Sequence, residues 1–86
     1  MTEEQERRRK EGEKLDAELT RVGLSGKRRG YKRDRAEILG VTPHAVTAWL
    51  AGRNPIPGWV WNVLKMWELL SAEGREKFRA WLDGKR

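Results

Sequence analysis

Residues 32–51 read KRDRAEILGVTPHAVTAWLA, and the spacing within this stretch predicts two helices that cross over a short turn. Ala36 is a small residue that lets a second helix approach closely. Gly40 permits the sharp turn, because glycine adopts backbone conformations that other residues avoid. Val46 and Trp49 lie three apart beyond it, where apolar side chains fill the angle between the helices. The stretch therefore predicts one helix on each side of the glycine.

Start and stop signals divide the chain into five helical segments and no convincing strand. Thr42 followed by a proline is typical of a helix start, since the threonine caps free N–H groups and proline has none. Gly23 and Gly52 are expected to end helices. The predicted segments are about 2–22, 31–39, 42–51, 58–71 and 72–83. The pattern thus predicts an all-α fold, a compact bundle of four to five helices.

The first segment differs from the others in composition. Residues 2–14 carry no apolar side chain, and apolar residues at helical spacing begin only at Leu15. A helix without an apolar stripe has nothing to bury. We therefore expect residues 1–12 to form a charged arm that protrudes or frays, and residues 13–86 to form a single domain.

The net charge of +6 is concentrated just before the central helices. Residues 24–35 carry six basic side chains against one acidic side chain, Asp34. The six are Lys27, Arg28, Arg29, Lys32, Arg33 and Arg35. A concentrated basic patch indicates a polyanionic partner, whereas the alternative is ordinary solvated charge.

Several classes of protein are not expected. The chain has no cysteine and one histidine, His44, so neither a disulfide framework nor a zinc site is predicted. No nucleophile–base pair and no phosphate-binding glycine loop between a strand and a helix is evident, so an enzyme and a cofactor are not expected. No apolar run approaches the roughly 20 residues of a membrane span, and no secretory signal is recognisable. A soluble, cytoplasmic protein is expected.

Residues 32–51 are similar to the helix-turn-helix of the phage Cro and repressor family, and the likeness extends over about residues 15–70. This resemblance implies a lambda-repressor-like bundle whose third helix lies in the major groove of double-stranded DNA. It implies a sequence-specific transcriptional regulator, a repressor of phage or mobile-element type that binds an inverted repeat as a homodimer. Lys32 and Arg33 stand where family members often carry glutamine, which favours phosphate contact there.

The resemblance assigns roles to individual positions. Base edges are expected to meet His44, Thr47, Ala48 and Ala51. Phosphates are expected to meet Lys27, Arg28, Arg29, Lys32, Arg33, Arg35, Thr42, Arg53 and Asn54. A dimer interface is expected at Trp61, Met66, Phe78 and Trp81. The alternatives are a merely exposed His44, a Thr42 that is chiefly a cap, and aromatic residues that belong to the core.

One rival from another class stays open at this point. Small helix-turn-helix proteins also serve as protein-interaction modules, as antitoxins, phage packaging subunits or inhibitors. In that case, the partner protein binds to the arm at residues 1–12 and to the tryptophans that lie off the main apolar stripe. No pocket for a small-molecule effector is evident, and neither the operator nor the sign of regulation follows from the residues.

Overall fold

Five helices make up the described part of the chain. The structure, a computed structural model, describes residues 2–27 and 29–85. The helices are α1 (Glu3–Arg21), α2 (Tyr31–Leu39), α3 (Pro43–Leu50), α4 (Gly58–Leu69) and α5 (Ala72–Gly84), and these residues form no strand. The predicted all-α fold is confirmed. Within this part of the chain, no helix combines the length and apolar character needed to cross a bilayer.

Side-chain caps begin three of these helices. Thr2 and Gln5 form a reciprocal capping box at α1, in which each side chain accepts from the backbone N–H of the other. The Oγ1 atom of Thr42 accepts from the backbone of Ala45 at 3.2 Å, and Ser71 caps α5 in the same way. These bonds satisfy N–H groups that have no partner inside a helix.

The turn between α2 and α3 is three residues long and depends on Gly40. Its φ of 73° is in the left-handed region that favours glycine. The backbone N–H of Val41 donates to Ala36 O at 2.9 Å, and that of Gly40 donates to Glu37 O at 3.2 Å. This pair of bonds is a Schellman motif. It ends α2 and directs the chain into α3, as the spacing predicts.

The core lies where α3 packs against α1 and α2, and where α2 packs against α4. Its buried apolar residues are Leu15, Leu19, Val22, Leu24, Ala36, Ile38, Leu39, Val46, Trp49, Val60, Leu64 and Trp67. The indole Nε1 of Trp67 donates to Val22 O at 3.2 Å, which satisfies its buried N–H. The fifth helix contributes only partly buried side chains, among them Phe78 and Leu82.

Arginine side chains attach α5 to the rest of the bundle. Arg75 donates from Nε to Trp67 O at 3.1 Å and from Nη2 to Glu68 O at 3.3 Å, so it caps carbonyls at the end of α4. Arg79 forms an ion pair with Asp34 of α2 at 3.4 Å. The two guanidinium groups also lie 5.1 and 5.5 Å from the centroid of the Trp67 ring. Polar contacts therefore supplement the modest apolar burial of this helix.

The predicted division at residue 12 does not correspond to a break in the chain, because α1 is continuous from Glu3 to Arg21. Gly12 is buried where α1 crosses the end of α3. A methyl group on Gly12 would lie 2.5 Å from the carbonyl oxygen of Leu50 and 2.8 Å from that of Trp49. The second half of the expected arm thus packs backbone against backbone, a contact for which no apolar side chain is needed.

A bidentate ion pair joins the ends of α1 and α4. Arg21 donates to the two carboxylate oxygens of Glu68 at 2.9 and 3.0 Å, and to Glu18 at 2.6 Å. The hydrogen bonding from Arg21 lowers the pKa of Glu68 from 4.5 to about 2. The folded chain therefore holds the charged carboxylate more strongly than the unfolded chain does.

This lowered pKa gives a stability term that depends on pH. Because the folded-state value is depressed, the stabilisation is fully present above pH 4.5 and is lost as the pH falls through about 2. We expect Glu68→Gln to be less stable than the wild type near pH 7, and the two to converge near pH 2. Thermal unfolding across this range measures the difference, with Glu76→Gln on the exposed surface of α5 as the control. A difference that does not vary with pH would contradict the assignment.

Candidate nucleic-acid interface

The exposed face of α3 carries three of the four residues predicted to read bases. His44 and Thr47 in α3 and Ala51, the C-cap of this helix, are exposed, and their spacing of three and four places them on one side of the helix. The hydroxyl of Thr47 donates to Pro43 O at 3.0 Å. Its proton is therefore engaged, while its lone pairs remain able to accept a hydrogen bond and its methyl group remains able to make apolar contact.

The prediction for Ala48 is wrong, because only 3% of its surface is exposed. At about 100° per residue, Ala48 lies only about 40° from His44 around the helix, which made it a candidate for the exposed face. Ala48 is rotated toward the buried Trp49, however, and the turn after α3 folds back toward Ala48. The backbone N–H of Arg53 donates to Ala48 O at 3.0 Å. Ala48 therefore positions the helix and cannot meet a base edge.

A groove brings the start of α2 beside the exposed face of α3. It has a volume of about 360 Å³, and both Lys32 and Thr47 line it. The other lining residues are Tyr31, Arg35, Pro43, Val46, Leu50 and Ala51. Tyr31 is not among the predicted site residues. Its position directly before Lys32, at the start of a predicted helix, indicates that it lies beside Lys32 in this groove. The cation Lys32 and the exposed face of α3 thus line the same groove.

Most of the predicted phosphate contacts are on the surface. Lys27, Arg29, Lys32 and Arg53 are exposed, and none of them forms an ion pair with any of residues 2–27 or 29–85. Arg33 is exposed but pairs with Glu37 at 2.9 Å. Free cations keep their full charge for an external anion, so each of these four side chains is electrostatically suited to contact with a polyanion.

The other predicted phosphate contacts differ in where they lie and in what else their side chains do. Asn54 and Arg53 are exposed in the turn that follows α3. Thr42 is exposed as well, and its hydroxyl is the cap of α3. Arg28 lies outside the described residues. The first two are therefore accessible to a phosphate, while the capping role of Thr42 accounts for that residue without one.

The prediction for Arg35 is wrong, because this side chain is part of the interior. Only 1% of its surface is exposed. Its Nε donates to Leu24 O at 2.8 Å, and its Nη2 lies 2.8 Å from a carboxylate oxygen of Asp16, in an ion pair without hydrogen-bond alignment. Arg35 of α2 thus connects α1 and the loop between α1 and α2. A guanidinium committed in this way is unable to contact a phosphate as well.

The four residues predicted to form a dimer interface do not share one face. Trp61 is half-buried beside α1, where the ammonium of Lys14 lies 5.3 Å from its ring centroid. Met66 is five residues further along α4, about 140° around the helix. It is exposed, as is Trp81, whose ring centroid lies 5.7 Å from that of Phe78. The structure therefore separates Trp61 from the other three.

Within residues 2–27 and 29–85, no three histidine, aspartate or glutamate side chains come together in a way that could hold a metal ion. Comparison with known proteins adds nothing to this geometry. No protein-family model, no curated protein and no solved structure matches the chain.

Proposed function

We propose that the chain is a sequence-specific double-stranded DNA-binding protein of the cytoplasm that regulates transcription, as a repressor of phage or mobile-element type. The observation that carries this proposal is the groove shared by Lys32 of α2 and Thr47 of α3. It places a free cation beside an exposed helix face. In this role the chain is a binding protein without catalytic chemistry or a cofactor.

The dimensions and chemistry of α3 suit the major groove. An α-helix with its side chains is about 10–12 Å wide, and the major groove is about 12 Å wide. His44 can donate to guanine N7 or O6. Because the hydroxyl proton of Thr47 is engaged by Pro43 O, the Thr47 oxygen acts as an acceptor for the amino group of adenine or cytosine. Ala51 is small enough for close approach to a thymine methyl group.

Affinity and specificity come from different residues in this proposal. Lys27, Arg29, Lys32 and Arg53 contact phosphates, which attract the chain to any duplex. Each such contact makes the slope of log K against log salt concentration more negative by about 0.9, so four contacts give a slope of about −3.6. The short side chains on α3 add the discrimination between sequences.

The test is selection of bound duplexes from a random pool at about 150 mM salt. We expect one recognisable half-site to be enriched, and an inverted repeat with half-site centres about 10 base pairs apart if two copies bind together. Failure to enrich any sequence would refute the proposal. A protein-interaction module, the rival that the exposed Met66 and Leu69 favour, would then be the better explanation.

Substitutions separate base reading from phosphate binding. Against the selected duplex, His44→Ala and Thr47→Ala are each expected to lower affinity about tenfold, since a good base contact is worth about 1–3 kcal/mol. Binding to random duplex is expected to stay unchanged for these two variants. Lys32→Gln is expected to weaken binding to both the selected and the random duplex. It is also expected to make the salt dependence of log K less steep by about 0.9.

The control for the charge change is Lys65→Gln, which removes the same charge from an exposed position on α4. It is expected to leave both affinities and the salt slope as in the wild type. Fluorescence anisotropy at several salt concentrations gives all of these values. Equal losses on selected and random duplex for the His44 and Thr47 variants would show that α3 does not read bases.

A further inference from the structure

Four consecutive basic residues lie in the first half of α1: Arg7, Arg8, Arg9 and Lys10. They do not form one patch, because a helix turns by about 100° at each residue. Arg8 is partly buried and forms an ion pair with Glu4. Arg9 is exposed and forms no ion pair with any of residues 2–27 or 29–85. Its charge is therefore available to an external anion.

A backbone contact brings Arg9 beside the turn that follows α3. A methyl group on Gly52 would lie 3.0 Å from the backbone nitrogen of Arg9 and 3.1 Å from its Cα atom. Together with the contact of Gly12 with carbonyl groups at the end of α3, this fixes α1 across α3 at two points. Arg53 follows Gly52 directly in the chain, and it is exposed as well. The fold thus brings two unpaired cations from distant parts of the sequence close together.

The side of α1 that carries Arg9 turns toward the candidate interface. Asp16 lies about 20° from Arg9 around the helix, and Glu13 lies about 40° from it. Both acidic residues line a cleft of about 360 Å³ together with Tyr31 and Arg35. The last two residues also line the groove between α2 and α3. Arg9 therefore lies on the same side of the molecule as the exposed face of α3, just beyond the end of that helix.

We propose that Arg9 contacts a DNA phosphate next to the one that Arg53 contacts, so that α1 extends the phosphate-binding surface past the end of α3. This inference rests on the proposed function. Two guanidinium groups near each other repel, and a phosphate beside both replaces that repulsion with attraction. The planar guanidinium also matches the geometry of phosphate oxygens.

The backbone contact at Gly52 makes this arrangement different from a frayed arm. A flexible segment loses conformational entropy when it is ordered on a partner, whereas a side chain on a packed helix is already in place. The neighbouring charges limit the contact to one position. Glu6 and Glu13 are exposed about 60° and 40° around the helix from Arg9, so they oppose a phosphate on either side of it. Arg9 therefore adds one contact rather than a basic stripe.

One added phosphate contact has a measurable effect on the salt dependence of binding. With Arg9 included, five contacts give a slope of log K against log salt concentration of about −4.5 instead of about −3.6. A contact that contributes about 0.9 to this slope changes affinity about 15-fold at 50 mM salt and about fivefold at 150 mM salt. Arg9→Gln is expected to lose affinity by these factors.

Fluorescence anisotropy with a random-sequence duplex at several salt concentrations tests the contact. Arg9→Gln is expected to make the salt dependence less steep by about 0.9. Arg7→Gln is the matched control, because Arg7 is exposed on the same helix, about 160° around it from Arg9, and has no ion pair within the described part of the chain. It is expected to stay within about twofold of the wild type, since charges beyond a Debye length of about 8 Å are largely screened at 150 mM salt. Both side chains are exposed, so circular dichroism is expected to show unchanged helix content.

Two results would overturn this inference. One is an Arg9→Gln variant with the affinity and salt dependence of the wild type. The other is an equal loss for Arg7→Gln, which would show an effect of net charge rather than of position. The random duplex requires no selected sequence, so a chain that enriches no sequence can still show the loss at Arg9. A chain that selects a half-site while Arg9→Gln binds like the wild type would refute this inference alone, and a chain that binds no duplex would refute the proposed function with it.

Discussion

Replacing Asp16 with alanine is expected to lower the free energy of unfolding by about 2–3 kcal/mol, although the Asp16 side chain is 58% exposed. Such a cost is unusual for a surface position, where substitutions commonly change stability by less than about 0.5 kcal/mol. The reason is the partner rather than Asp16 itself. Arg35 is buried, and Asp16 is the carboxylate beside its guanidinium. Without that carboxylate, a buried positive charge has no counter-ion.

Replacing Arg35 with methionine is expected to cost less, about 1–2 kcal/mol. Methionine keeps most of the apolar stem, and the charge is removed rather than stranded. The main loss is the donor to Leu24 O, since an unsatisfied buried carbonyl costs about 1–3 kcal/mol. The double variant is expected to be about as stable as Arg35→Met alone, because Asp16 has no buried charge to compensate once Arg35 is gone.

Urea unfolding of the wild type, the two single variants and the double variant forms a complete mutant cycle. Glu13→Ala, an exposed carboxylate on the same helix, is the control and is expected to change stability by less than about 0.5 kcal/mol. Additive losses from Asp16 and Arg35 would show that the two side chains are not coupled. In that case the buried position of Arg35 would need another explanation.

Replacing Gly12 with alanine is expected to destabilise the chain by about 2 kcal/mol, in spite of the higher helix propensity of alanine. The added methyl group meets Leu50 O at 2.5 Å and Trp49 O at 2.8 Å. These are backbone atoms of α3, so they are unable to rotate away as a flexible side chain does. Overpacking of this kind costs about 1–3 kcal/mol or more, against about 1 kcal/mol that alanine gains in a helix.

Gly84→Ala is the matched control, since a methyl group at Gly84 meets nothing within 4 Å at the end of α5. It is expected to be neutral or slightly stabilising by the same unfolding measurement. A Gly12→Ala variant as stable as the wild type would mean that α1 does not contact α3 at this point. Residues 1–12 would then behave as the free arm that their composition predicts.

The ends of the helices were predictable from the sequence because each depends on neighbours within a few residues. Thr42 caps α3 through a hydrogen bond that spans three residues, and Gly40 ends α2 by its own conformational freedom. The exposure of His44, Thr47 and Lys32 also follows from helical spacing, once the opposite face of each helix is assigned to the core. This local information accounts for the all-α fold and for most of the candidate interface.

Long-range contacts decided what the sequence pattern left ambiguous. In the sequence, Arg35 is one basic residue among the exposed basic residues that precede it. Only the packing of α1 and of the loop between α1 and α2 around it buries its side chain. Gly12 has no side chain, so no pattern of apolar residues predicts its contact with α3. Ala48 lies only about 40° around the helix from the exposed His44. For Arg35 and Gly12 the partner is distant in the chain: Asp16 for Arg35, and the carbonyls of Leu50 and Trp49 for Gly12. Local propensity and periodicity determine where a helix begins, ends and turns its apolar side, whereas burial at the margin of that side depends on which element packs there.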